Sequence, residues 1–159
     1  MKAVISLFIT LTISFVLFMF GYFMTTTPGQ TSGNGNPAIL LFVPLFILFI
    51  VLIFQWFKLL KPKKVNTRTA IILAFAVICH QAIGLYYQVV SFQKYRIILS
   101  EVYEEQFGEI DWHYIDSITS GLSIHINNQY FNVNTFFLFV SLSFLIGLLG
   151  QIVLNVRGK

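Results

Sequence analysis

The sequence predicts an all-α membrane protein: a four-transmembrane-helix bundle with a small extracytoplasmic cap, made of an extension of the third helix plus a β-hairpin. Three observations predict it. Of the 159 residues, 57% are hydrophobic and only 10% charged, whereas a water-soluble domain carries about 25% charged residues. Four apolar runs, Ala3–Met24, Ala38–Phe57, Thr69–Phe92 and Phe136–Val156, contain no Asp, Glu, Lys or Arg. Every acid of the chain (Glu101, Glu104, Glu105, Glu109, Asp111 and Asp116) falls between the third and fourth runs. The chain reads as one integral membrane domain over residues 1–159.

Each run is long enough to span, since about 20 residues cross a hydrocarbon core about 30 Å thick. A helix also satisfies its own backbone where lipid offers no partner. The first run, led by Lys2, reads as an uncleaved helix rather than a signal peptide. It is long for a signal core, and "MTTTPGQTSG" offers no small-residue cleavage pattern. The loop Thr25–Pro37 is rich in Thr, Gly, Asn and Pro and reads as a flexible connection. Pro37 sits where a second helix begins, a tolerated position. Pro44 lies further in and is expected to kink that helix, and Pro62 to end it.

Charge sets the orientation. Lys58, Lys61, Lys63, Lys64 and Arg68 lie between the second and third runs, and Arg157 and Lys159 follow the fourth. Short loops rich in Lys and Arg stay in the cytoplasm, so both termini are expected inside and the acidic segment outside. Lys94 and Arg96 oppose this weakly and can snorkel to outer phosphates. The expected location is a cell membrane. The Lys-led first helix and the lack of an Asn-x-Ser/Thr sequon suit a bacterial one. The formal charge of +4 therefore reflects topology, and no nucleic-acid partner is expected.

The third helix is expected to run past the membrane surface. "SFQKYRIILSEVYEEQFGE" keeps helical periodicity, with Tyr95, Ile98, Leu99, Val102 and Gln106 on one side. Gly108 is a suitable stop. The stripe needs cover, and "LSIHINNQYFNV" alternates around Asn127-Asn128, a two-residue hairpin turn. Such a hairpin places Ile126, Ile124, Leu122, Phe131 and Val133 on an apolar face and Ser123, His125, Tyr130 and Asn132 on the other. The cap would occupy residues 94–134.

Candidate functional residues fall in two places. His80 lies near the middle of the third run, and His80, Gly84, Gln88 and Ser91 recur at helical spacing with Gln81 beside them. Polar groups at that depth face the bundle interior, where Ser14 and Ser143 lie at matching depth. His80, Gln81 and Gln88 are thus candidates for an intramembrane ligand site, although a structural hydrogen bond is the simpler role for His80. No cofactor is expected: haem needs axial ligands and His80 is the only membrane histidine. Cys79 is the only cysteine, which excludes a dithiol relay and a cysteine zinc site. Coupled transport would rest on His80 alone.

In the cap, Trp112, His113, His125 and Tyr130 are the candidates for contact with an extracytoplasmic protein or peptide. Glu109, Asp111, His113, Asp116 and His125 match no metal-ligand spacing, so solvated charge is the reading. A Ser117–His113–Asp116 triad carries no weight in so polar a segment. The expected function is non-enzymatic: an interaction or sensing module that uses its cap; the alternative is a membrane-embedded small-molecule or cofactor site around His80, in a carrier or cofactor-binding protein.

Overall fold

The computed structural model describes residues 1–30, 35–61 and 66–157. Pro62, Lys63, Lys64 and Lys159, which entered the argument above, lie outside the described residues. Among the described residues six α-helices occur: α1 (Lys2–Phe23), α2 (Phe42–Leu60), α3 (Thr67–Phe107), α4 (Trp112–Ile118), α5 (Asn127–Tyr130) and α6 (Val133–Arg157). Short 3₁₀ segments at Pro37–Leu41 and Ile124–Ile126 precede α2 and α5. Four helices, those of α1, α2, α3 and α6, are long and apolar enough to cross a membrane. The chain is a multi-pass helical membrane protein. Large apolar side chains such as Phe8, Phe46, Phe75 and Ile83 project outward, as expected where lipid is the solvent.

The start of the second span differs from expectation. The chain runs as a 3₁₀ turn through Pro37–Leu41, capped by the Asn36 side chain, which accepts from Ala38 N–H at 3.0 Å. The α-helix starts only at Phe42, so Pro44 falls in its first turn, where a missing N–H is least costly.

α3 is one unbroken helix of 41 residues, about 60 Å long at 1.5 Å per residue. It begins with Asn66 as N-cap, its side chain accepting from Arg68 N–H at 3.1 Å. It ends at Gly108, whose φ of +81° is the left-handed conformation that closes helices. The helix thus extends about four turns beyond Phe92, as its periodicity predicts.

α6 is the hub, packing on α1, α2 and α3. The α3–α6 contact is an antiparallel heptad seam. Ala70, Ala74, Gln81, Gly84 and Gln88 of α3 meet Leu148, Ser141, Leu138 and Asn134 of α6. Steps of three and four along both helices keep one face of each turned to the other. The opposite side of α6 meets α2. There Gly147 lies against Trp56 and the backbone of Ile53 and Phe57, and Trp56 Nε1–H donates to Ser143 Oγ at 3.2 Å. α1 joins α2 through Gln55, whose Nε2 donates to Ser6 Oγ (3.0 Å) and Thr10 Oγ1 (2.9 Å).

The β-hairpin does not form: no strand occurs among the described residues. Ser123 caps a 3₁₀ turn, and Asn127 and Asn128 open α5 instead of forming a two-residue turn. The physical reason is that the alternating residues serve separate sites. Ile126 packs with Tyr95, Leu99, Tyr103 and Ile115 in the cap. Phe131 packs with Phe18, Ala38, Leu45 and Phe136 near the bundle. One flat strand face could not reach both clusters. The cap remains as a unit, built from the α3 extension, α4 and α5.

The described parts of the Thr25–Pro37 loop are held against that cap. Thr26 N–H donates to Ile124 O at 3.3 Å, and Gln30 N–H closes a turn on Thr27 O at 3.1 Å. Gly29 sits in that turn at φ +83°, against the Gln106 side chain.

Candidate functional site

The intramembrane candidates are brought together on the α3–α6 seam. Gln81 Nε2 donates to Leu138 O (2.9 Å) and to Ser141 Oγ (2.8 Å). Ser141 Oγ also lies 3.1 Å from His80 Nδ1. One hydroxyl thus serves two neighbours on α3. His80 itself does not face the bundle interior. It sits on the exposed flank of α3 beside the seam, because the contact face is set by Ala74, Gln81 and Gly84, and His80 is one residue, about 100°, off that face. The partners expected for it lie elsewhere. Ser14 Oγ–H donates to Thr10 O at 2.9 Å within α1, and Ser143 faces Trp56.

Gln88 organises a second polar group, one to two turns nearer the cap. Its Nε2 donates to Gln129 O at 2.8 Å, and its Oε1 accepts from Asn134 Nδ2 (3.1 Å) and Asn132 Nδ2 (3.3 Å). Asn134 Nδ2 also donates to Gly84 O at 3.0 Å, an approach that Gly84 permits because it carries no Cβ. These amides join α3, α5 and the first turn of α6.

Asn127 forms a third knot. It is fully buried. Its Nδ2 donates to Met24 O (3.2 Å), at the end of α1, and to Asn36 Oδ1 (3.1 Å). Its Oδ1 accepts from Asn36 Nδ2 at 2.7 Å. Sequence reasoning placed Asn127 and Asn132 only in the expected hairpin, and it singled out none of Asn36, Asn134 and Ser141. The available signal was their density just before the fourth apolar run, where five amides fall within eight residues, Asn127–Asn134.

The four cap candidates separate into two pairs. His125 is 5% exposed, and its backbone carbonyl accepts the Tyr95 hydroxyl at 2.8 Å. Burial pushes its imidazole below the ordinary histidine value. Tyr130 donates its hydroxyl to Gly121 O at 2.6 Å and packs against the cap core. These two hold the cap together. Trp112 and His113 face outward instead, at the start of α4.

The outward pair belongs to a larger surface. Asp111 caps α4, accepting from Tyr114 N–H at 3.0 Å. Tyr103, buried, stacks on Phe107 at 5.9 Å and meets Tyr114 edge-on at 5.1 Å. Phe107 is 69% exposed and Trp112 48%. A hollow of about 350 Å³ is lined by Tyr103, Phe107, Glu109, Asp111 and Tyr114. Glu104 and Glu105 lie exposed on the same tip. Lower on the cap, Asp116 is taken up in an ion pair with Arg96. Among the described residues no three of His, Cys, Asp and Glu converge as a metal site.

No protein-family model matches the chain, and neither the curated proteins nor the solved structures contain a significant match.

Proposed function

We propose that the protein is a non-enzymatic membrane interaction module whose cap tip, directed outside the cell, receives a cationic segment of a protein or peptide. The observation that carries this reading is the tip itself. Large aromatic side chains, Phe107 and Trp112, lie exposed among Glu104, Glu105, Glu109 and Asp111, on a cap whose interior is otherwise packed. Exposed aromatics are the usual anchors of interfaces, and a ring of like charge steers an oppositely charged partner. An aromatic hollow edged by carboxylates also offers a cation–π face to Lys or Arg. The intramembrane reading has less support, because Gln81 and Gln88 already bond to α6 and α5.

The test is photocrosslinking in intact membranes from position 112. The reading expects a discrete adduct there that disappears at high salt and in a Glu104→Gln/Glu105→Gln/Glu109→Gln protein expressed at the normal level. An adduct indifferent to both salt and the three substitutions would contradict it, as would no adduct from the tip at all.

A further inference from the structure

A cleft of about 510 Å³ lies between the cap-side end of α1 and the Tyr87 to Ile98 stretch of α3, bordered by α5 and the start of α6. We propose that it seats the phosphate headgroup of one membrane phospholipid from the cap-side leaflet. Its position straddles the membrane boundary. Tyr87 lies about one turn inside Phe92, the last residue of the third apolar run, and Lys94 lies just beyond it. The α1 wall carries Met19 and Phe23, and Phe23 is widely exposed, so an acyl chain can leave the cleft along an apolar surface into lipid.

The polar side of the cleft is rich in donors and free of acids. Lys94 is its only cation, and no carboxylate lines it. Among the described residues Arg96 is paired with Asp116, whereas Lys94 is in no ion pair. Tyr22 and Tyr87 line the same space, and their hydroxyls make no hydrogen bond among the described residues. An ammonium with nearby hydroxyl donors suits a phosphate, to which charge-assisted hydrogen bonds are the strong ones.

The experiment uses the full chain in mild detergent, stripped of lipid and titrated by native mass spectrometry. The probes are phosphatidylglycerol, phosphatidylcholine and diacylglycerol of matched acyl chains, with inorganic phosphate as competitor. Both phospholipids are expected to bind one per chain, about tenfold tighter than diacylglycerol, the factor that one good charged contact supplies. Lys94→Gln should reduce both to the diacylglycerol level, while Lys58→Gln, at the opposite end, should change nothing. Ser91→Trp, which fills the cleft, should exclude all three lipids. Equal binding of diacylglycerol, or full retention by Lys94→Gln or Ser91→Trp, would overturn the proposal. Displacement by inorganic phosphate would do so too, because the site would then take a free anion.

Discussion

Asn127 ties three distant parts of the chain together through one side chain: the end of α1, the Asn36 turn before α2, and α5. A buried amide with every partner in place stabilises, whereas deleting it strands those partners at about 1–3 kcal/mol. Asn127→Ala is therefore expected to lower stability by about that amount, and Asn36→Ala similarly. The double variant should lose less than the two losses added, because the pair shares hydrogen bonds; thermal melts of the four proteins in detergent check this. The same logic ranks the mid-membrane residues. Ser141 serves both Gln81 and His80, so Ser141→Ala should cost more than His80→Leu. The latter is expected to cost about 0.6–2 kcal/mol, the range of single interhelical hydrogen bonds. His125 gives a pH signature. Its buried imidazole binds a proton less readily than the unfolded one, whose value is about 6.5. The stability that neutral His125 confers is thus full above about pH 6.5 and is lost as pH falls through the lower folded value. Melts at pH 7.5 and 5.5 should separate more for the native chain than for His125→Gln; equal separations would contradict this.

The helices were legible at the level of elements because each rests on one physical requirement, enough apolar length to cross lipid. The α3 extension was legible too, since its stripe and Gly108 are local signals. Helix rotation was not. The polar spacing of His80, Gly84, Gln88 and Ser91 placed Gly84 and Gln88 on the face that packs, but it put His80 there too, where Gln81 takes the position. Small residues decided the contact instead: Ala70, Ala74 and Gly84 let α6 approach, and His80 is left on the flank. The hairpin failed for a related reason. Alternation in "LSIHINNQYFNV" records residues divided between two clusters rather than two faces of a strand, and only tertiary structure separates these. The glycines of α6 and α3 make the helix contacts testable. A Cβ at Gly147 would lie 2.9 Å from Trp56 Cβ and 3.2 Å from the Ile53 carbonyl oxygen, whereas one at Gly84 would first meet the flexible end of Leu138, at 2.6 Å. Side chains can yield and backbone cannot. Gly147→Ala is expected to cost about 1–3 kcal/mol, as overpacking does, and Gly84→Ala less. Reversal of that order in denaturation would mean that α6 meets α2 and α3 by other faces.

For the whole molecule, charge and packing divide the chain into a greasy, internally hydrogen-bonded bundle and an acidic cap at one end. Every acid of the chain is in the cap region, and the aromatic residues left exposed at its tip, Phe107 and Trp112, are the ones its own core does not use. The proposed role of these residues as an interaction surface requires that this end face outward, the orientation that Lys58, Lys61 and Arg68 imply at the other end. Cysteine accessibility measures that directly. In a Cys79→Ser background, Ser120→Cys at the cap and Asn66→Cys before α3 both place a thiol on exposed positions. With an impermeant maleimide added to intact cells, Ser120→Cys is expected to label fully and Asn66→Cys only after the membrane is opened. Labelling of Asn66→Cys in intact cells, with Ser120→Cys protected, would turn the cap inward and contradict the account.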